Sequence, residues 1–286
     1  MNRSLTPVIH AITSLKRYNN LLTGVLLGAA ALSFPGCKKS DKASPGSCLL
    51  MQEIYDGPSP KQYYYNGTWT YGYDAGSQPT SISSDQGDLV NFAGNQQKGT
   101  YRFGVIKNFT FSGGSFLSGM PALMVVDKPQ SGPPVPYQLY YQGQHLVSRA
   151  RTVDSTVYDY DGNGNMIRSS YYNLAASRTV PNSYVQFTGF DNKPTPYAAN
   201  IYYKFLFHSP ESLYFREWML PLELGSHNPG REQSYASQGG AIYKLDDDYA
   251  FAYQYNDKGM PLQLTVTDNL NAKALVEQDK FTYSCK

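Results

Sequence analysis

The sequence predicts an all-β protein: an antiparallel meander of β-hairpins forming a strongly curled sheet, a half-barrel or a closed barrel, with one short helix. Three observations carry this expectation. Charged residues make up only 16% of the 286 positions, while tyrosine alone supplies 26, and aromatic and β-branched side chains suit a pleated, half-buried surface. From residue 48 onward, short aromatic or β-branched runs are broken by Gly, Asn, Asp and Pro, the punctuation of strands and turns. Several runs also alternate apolar and polar residues, as a strand with one buried face does. A long antiparallel meander must manage its edges, and curling toward closure does so.

The first 36 residues are a targeting segment. Arg3, Lys16 and Arg17 precede LLTGVLLGAAALSF, residues 21–34, an apolar run shorter than the ~20 residues a spanning helix needs. Pro35, Gly36 and Cys37 follow, then KKSDKASPGS. A small residue and a cysteine directly after such a run resemble a bacterial lipoprotein signal. That resemblance implies cleavage before Cys37, acylation of its thiol, and a membrane, the outer one, as the place where the chain is held. An ordinary secretory signal with an incidental cysteine is the other reading of the same run. Residues 37–47 are polar with Gly and Pro and read as a flexible tether. No linker interrupts residues 48–286, which are expected to form one domain. Without residues 1–36, 21 basic residues stand against 22 acidic ones, a net charge of −1, so the basic excess of a nucleic-acid binder is missing. Cys48 and Cys285 bracket the domain, and export puts them in an oxidising compartment, so a Cys48–Cys285 disulfide tying the termini together is expected.

Along the domain, residues 62–84 read QYYYNGTWTYGYDAGSQPTSISS. Asn66-Gly67 is a hairpin signal, Tyr65, Trp69, Tyr71 and Tyr73 alternate, and Asp74-Ala75-Gly76 makes a second turn. GNQQKGT (94–100) and KPQSGPPVP (128–136) look like long surface loops. Tyrosine-rich strands then return, with turns at Gln142-Gly143, at Asp161 to Asn165 and at Asn256 to Gly259. Ser209, Pro210 and Glu211 suit the start of a helix, expected over 210–220 with Trp218 as an anchor and Pro221 as its stop. Residues 188–200 hold Pro194 and Pro196 and read as an ordered loop crossing the sheet.

Tyr73-Asp74-Ala75-Gly76, Tyr160-Asp161-Gly162-Asn163-Gly164 and Tyr255-Asn256-Asp257-Lys258-Gly259 resemble the YD hairpin units of RHS-type repeat proteins. The layout as a whole is similar to uncharacterised Bacteroidota lipoproteins, in which such hairpins flank a stretch like FDNKPTPYAAN (190–200), a leucine-rich segment and a motif like LELGSHNP (222–229). The resemblance implies a β-rich, membrane-anchored protein of unknown function and brings no catalytic residues with it.

Candidate chemistry is sparse. YDYDGNGNMIR, residues 158–168, sets Asp159, Asp161, Asn163 and Gly164 at the spacing of a calcium loop. The twelfth position, where such a loop needs a bidentate acid, is Ser170, and the flanks read as strands rather than helices. A hairpin turn is the expectation, with weak cation binding left open. Asp246-Asp247-Asp248 is likewise expected to be a solvated turn before a strand. His145, His208 and His227 make no metal site without further ligands. Ser115 lacks the GxSxG spacing, and Glu211, Glu217 and Glu223 are not a recognisable carboxylate pair. No catalytic, cofactor or metal residue is assigned, and the chain is not expected to be an enzyme. The expected role is a membrane-anchored envelope lipoprotein that binds or scaffolds, its partner a glycan or another envelope protein. A glycan-binding accessory protein at the outer membrane and a hydrolase with a site in residues 188–229 are the alternatives.

Overall fold

The computed structural model describes residues 48–56, 67–77, 79–85, 89–93, 96–101, 107–112, 123–127, 135–198 and 220–285; for the strands between 89 and 127 it is the backbone pairing that is described. Cys37, the segment before it, the tether, Trp218 and residues 210–219 of the helix expected over 210–220 lie outside these residues. Sixteen strands are described: β1 (Cys48–Asp56), β2 (Gly67–Tyr73), β3 (Pro79–Ser84), β4 (Leu89–Ala93), β5 (Gln96–Tyr101), β6 (Lys107–Ser112), β7 (Leu123–Asp127) and β8 (Val135–Gln142), then β9 (His145–Ala150), β10 (Asp154–Tyr160), β11 (Met166–Asn173), β12 (Ser183–Thr188), β13 (Arg231–Gly239), β14 (Ile242–Tyr255), β15 (Pro261–Asp268) and β16 (Ala274–Cys285). Each pairs antiparallel with its neighbours in sequence, and β1 pairs with β16, so the meander closes into a barrel. The fold is all-β, as the composition predicts.

With an even number of strands, the start of β1 and the end of β16 lie at one end of the barrel, called here the near end. Cys48 and Cys285 face each other there and are joined by a disulfide. The tyrosine-led turns are also at the near end. In four hairpins the register slips by one residue at the tyrosine before the turn: Tyr73 pairs with Pro79, Tyr141 with Leu146, Tyr160 with Met166 and Tyr255 with Pro261. Each slip leaves one extra residue on the returning strand, namely Thr80, Val147, Ile167 and Leu262. A bulge of this kind bends and twists the strand, and repeating it at one rim curls the wall the same way each time.

Three of these turns share one chemistry. The Asp161 carboxylate accepts from Asn163 N (2.8 Å) and Asn165 N (2.9 Å), while Gly164 N donates to Asp161 O (3.1 Å). Asn256 repeats the arrangement with Lys258 N (3.0 Å), Met260 N (2.9 Å) and Gly259 N (3.0 Å). The fourth position of both turns is a glycine at φ 79°. In the first turn the same position is Ser77, at φ 64°, a conformation that costs an L-residue ~1–2 kcal/mol. Ser77→Gly is therefore expected to raise stability by about 0.5–1 kcal/mol after glycine's own entropic cost. Denaturant unfolding measures this, and a loss would mean that the serine side chain, not the backbone, sets the turn.

The walls sort cleanly by register. One row across β10 to β14 runs Asp159, Arg168, Gln186, Gln233, Asp248; another from β14 to β2 runs Gln254, Gln263, Lys280, Ile54, Thr68. These residues face outward, and all of them but Ile54 are polar. The alternate rows face inward: Tyr158, Ser169, Val185 and Ser234 on one, Tyr253, Leu264, Asp279 and Tyr55 on another. The buried core of Leu50, Tyr71, Ile82, Phe187, Leu264 and Phe281 lies on this inner face.

Four expectations need correction. Gly67 is not a turn residue but the first residue of β2, paired with Tyr55. Most of the loop expected over 94–100 is strand β5, and Val135 and Pro136 already belong to β8. Asp246-Asp247-Asp248 lies inside β14, because Ser234, Arg231 and Gln233 across the strand pair supply the partners that a solvated turn would take from water. The helical turn α1 (Leu220–Leu224) includes Pro221 rather than ending before it. Proline is tolerated in a first turn, where its missing N–H would have no partner anyway, and Gly225 N closes the turn onto Pro221 O (2.9 Å).

A capped barrel end as candidate functional site

The long connection between β12 and β13 leaves the wall at the near end, and its described parts, 189–198 and 220–230, form a cap there. Its two arms meet in an antiparallel bridge between Pro194 and His227. Two strand-end turns hold it. Ser226 N donates to Gly164 O (3.1 Å) and His227 Nδ1 lies 2.7 Å from Asn165 Oδ1. A Cβ on Gly164 would sit 2.6 Å from Ser226 Oγ, so this glycine is required both by its positive φ and by the closeness of the cap. Leu222 and Leu224 of α1 are buried against the core, with α1 packed on β11.

Asp191 is the hub of the cap. Its carboxylate accepts from Lys193 N (2.9 Å), Asn228 N (3.3 Å), Asn228 Nδ2 (3.3 Å) and the Tyr255 hydroxyl. Asn228 Nδ2 also reaches Lys193 O and Pro194 O, both at 3.2 Å. The Lys193 ammonium lies 3.6 Å from the centre of the Tyr255 ring, a cation–π contact. Burial pushes the Tyr255 phenol well above its ordinary range, and the bond to the Asp191 carboxylate raises it further. The strand tyrosines thus diverge. Tyr73 and Tyr160 donate to backbone carbonyls of the preceding strand, Leu50 O (2.7 Å) and Leu146 O (2.9 Å). Tyr255, whose neighbouring strand β13 starts where the cap rejoins the wall, donates to the cap instead.

Beneath the cap the inner wall is lined with acids and phenols. Glu53 on β1 is buried and accepts from Tyr71 OH (2.9 Å) and from Tyr197 OH of the cap (2.6 Å). Glu232, Glu277 and Asp279 are also buried on inward positions. The Tyr253 and Tyr283 rings keep some exposure at their flanks, but their hydroxyls are buried with no hydrogen-bond partner, as are Thr195 Oγ1 and Asn228 Oδ1 of the cap. Burial, then the charges of Tyr255, Asp191 and Asp279, hold the Tyr253 phenol far above its usual value. Buried polar atoms of this kind normally find a partner.

Asp161 stands at the rim of the cap. Burial raises its carboxyl somewhat, but the amides of Asn165 and Asn163 outweigh that and leave it below its usual value. Its second oxygen accepts from Asn165 Nδ2 (2.8 Å), so both oxygens already hold amide donors, and Asp159 lies on the outer wall. Calcium is accordingly expected to leave the melting temperature unchanged. A rise reversed by EDTA and lost in Asp161→Ala would overturn this. Among the described residues no three His, Cys, Asp or Glu side chains converge to hold a metal ion. Asp248 on the outer wall is held below the ordinary carboxylate range, chiefly by its bidentate pairing with Arg231 at 2.8 and 2.5 Å.

The His145 ring packs on Tyr160 with centroids 4.5 Å apart, and His227 is held by Asn165. Ser115, His208, Glu211 and Glu217 lie outside the described residues, as does the side chain of Glu223. The sequence reading missed Glu53, Asp279, Asp191 and Asn228. The last two sit in FDNKPTPYAAN and LELGSHNP, where their chemistry was visible but their meeting was not. Glu277 and Asp279 had a fainter signal, since they share the parity of Phe281 and Tyr283 in β16.

No protein-family description matches the chain, and no curated protein does. Among solved structures it is similar to a porin-like protein from Bacteroides vulgatus, with 12% identity and a TM-score of 0.53 over 82% of this chain and 98% of that one. A porin-like protein from Bacteroides uniformis matches with 11% identity and a TM-score of 0.49 over 84% and 97%. The first of these likenesses shows a shared barrel fold.

Proposed function

We propose that the protein is an envelope lipoprotein, tethered to the outer membrane through Cys37, whose barrel stands in water and binds a polar partner rather than spanning the bilayer or catalysing a reaction. One observation carries the reading: along the described rows from β10 round to β2, the wall is mainly polar outside and aromatic and acidic inside. A barrel that crosses a bilayer presents an apolar band outward, with charged substitutions there costing ~2–4 kcal/mol at the midplane. Lys280, Gln263 and Gln186 occupy that surface here. The lipoprotein-like signal supplies the membrane link that such a wall does not. The barrel likeness to Bacteroides proteins described as porin-like is consistent with an envelope setting, but the outer wall argues against a pore.

The experiment is metabolic labelling with a fatty acid, beside purification of residues 38–286 without detergent. The full chain is expected to take up label, Cys37→Ser to lose it, and the truncated barrel to be monodisperse in buffer. Absence of label would remove the anchor, and a barrel that needs detergent would remove the water-facing reading.

Glycan binding is the form of partner recognition with an observation of its own. Tyr140 stands 53% exposed on the outer wall, as a ring that stacks on a sugar must. Tyr184 does not compete for that role, since Arg168 covers one side at 3.9 Å and Tyr235 stacks on it at 4.7 Å. Loss of oligosaccharide binding in Tyr140→Ala, at unchanged stability, is the result that supports it.

A further inference from the structure

On the outer wall from β8 to β11, the register lines up small side chains between long ones. One outward row runs Tyr140, Ser148, Val157, Ser170, Tyr184, and the next runs Gln138, Ala150, Ser155, Tyr172. In both rows the residues on β9 and β10 are short and those on β8 are long. Ser148, Ala150, Ser155 and Val157 therefore floor a trough two strands wide, with about 14 Å from β8 to β11. Tyr140 rises on one side, 53% exposed, and Tyr172 on the other, half-buried. Beside Tyr172 the wall is filled in. Arg168 Nε donates to Ser170 Oγ (3.0 Å) and its guanidinium lies on the Tyr184 ring, which leaves Ser170 only 3% exposed.

The chemistry of the trough selects its guest. Two hydroxyls, a methyl group and one valine make the floor, with a phenol ring on each side. Asp159 and Arg168, paired across β10 and β11, continue it toward the near end with one charge of each sign. That balance suits a neutral ligand, whereas a nucleic acid or an anionic lipid surface would need a basic excess. An extended peptide has little to gain, because β9 and β10 are paired on both sides and offer no open ladder. A sugar brings what the trough can take: C–H faces for the rings, and hydroxyls that donate to and accept from serine. A second floor of small residues shows the contrast. Ala250, Ala252, Thr265 and Thr267 lie together on β14 and β15, but their paired neighbours Arg231, Gln278 and Leu275 carry no ring.

We infer that the trough on β8 to β11 is a subsite for a neutral oligosaccharide, its sugar rings packed between Tyr140 and Tyr172 and its hydroxyls on Ser148, Ser155 and Asp159. The site rests on the glycan-binding reading of Tyr140 and extends it to a bounded surface and an uncharged ligand class. An open trough covers one face of its guest, so binding is weaker and faster than in an enclosing pocket.

The test is calorimetric titration of residues 38–286, which carry every described strand and the cap. The probes are cellohexaose, xylohexaose, mannohexaose and maltohexaose, with hexagalacturonate as the charged comparison. At least one neutral chain is expected to bind, with little dependence on salt. Tyr140→Ala and Tyr172→Ala should each weaken that binding at least about threefold, the scale of one aromatic contact. Ser148→Leu combined with Ser155→Leu fills the floor and should abolish it, while Thr265→Leu on the other floor should bind as the parent does. All of these positions face outward, so melting temperatures should stay within about 2 °C of the parent. If no neutral chain binds, the trough falls together with the glycan-binding reading. If Tyr140→Ala removes binding but Tyr172→Ala and the filled floor leave it intact, that reading stands and the trough is overturned. Tighter binding of hexagalacturonate than of any neutral chain overturns the assignment to an uncharged ligand.

Discussion

Asp191→Ala is expected to free the cap from the barrel while the wall stays folded. The carboxylate takes bonds from Tyr255, Lys193 N and both nitrogens of Asn228. Removing it leaves the buried Asn228 amide and the half-buried Tyr255 hydroxyl without their charged acceptor. Hydrogen bonds to a charged group contribute ~1.5–3 kcal/mol each, and stranded donors add their own desolvation cost. A loss of about 3–5 kcal/mol is therefore expected, concentrated in local opening of the cap rather than in global unfolding. Hydrogen exchange separates the two. Protection should fall at Ser226 and Gly230, whose amides bond to Gly164 O and Thr188 O, and persist along β14 to β16. Asp191→Asn keeps one acceptor oxygen and should fall between parent and alanine. Unchanged protection at Ser226 would mean that Leu222 and Leu224 hold the cap without the polar hub.

Cys48→Ser with Cys285→Ser is expected to be the most damaging change at the near end. The bond joins residues 237 apart in sequence, and they are the ends of the two strands that close the barrel. A cross-link over so long a loop removes much of the unfolded chain's freedom, with typical effects of ~2–5 kcal/mol. At roughly 2–4 °C per kcal/mol for a domain of this size, the melting temperature should drop by about 10 °C. Calorimetry on oxidised and reduced parent protein gives the same comparison without mutation. Identical melting in both states would show that the β1–β16 ladder closes the barrel without the covalent bond.

What was legible in the sequence was local. The Asp161 and Asn256 turns follow from an Asx residue whose side chain bonds two amides ahead and a glycine placed where φ must be positive, all within five residues. The tyrosine before each turn and the alternation after it mark strands for the same reason: each depends on neighbours one or two positions away. The pairing of Cys48 with Cys285 was reachable through compartment and position rather than through contact. The cap's residues were visible as motifs, but their partners were not. Asp191 is 37 residues from Asn228 and 64 from Tyr255, and Tyr197 is 144 from Glu53. No periodicity links positions so far apart.

The three adjacent acids show where local reading fails. Asp246, Asp247 and Asp248 look like a turn because charge prefers water. In the barrel they are strand, because Arg231, Gln233 and Ser234 on β13 bring partners to Asp247 and Asp248, while Asp246 falls at a register slip and faces water. GNQQKGT likewise looks like a loop, yet most of it lies in β5 between two strands that need its backbone hydrogen bonds. The sequence alone determined the strands' character, the turn chemistry and the all-β class, since side-chain alternation and Asx turns act over a few residues. Only the tertiary structure decided that the meander closes, which face of each strand looks inward, and what the cap binds to. Closure and burial are set by contacts between residues that the chain keeps far apart, and a strand's alternation is the same whichever way its sheet curls.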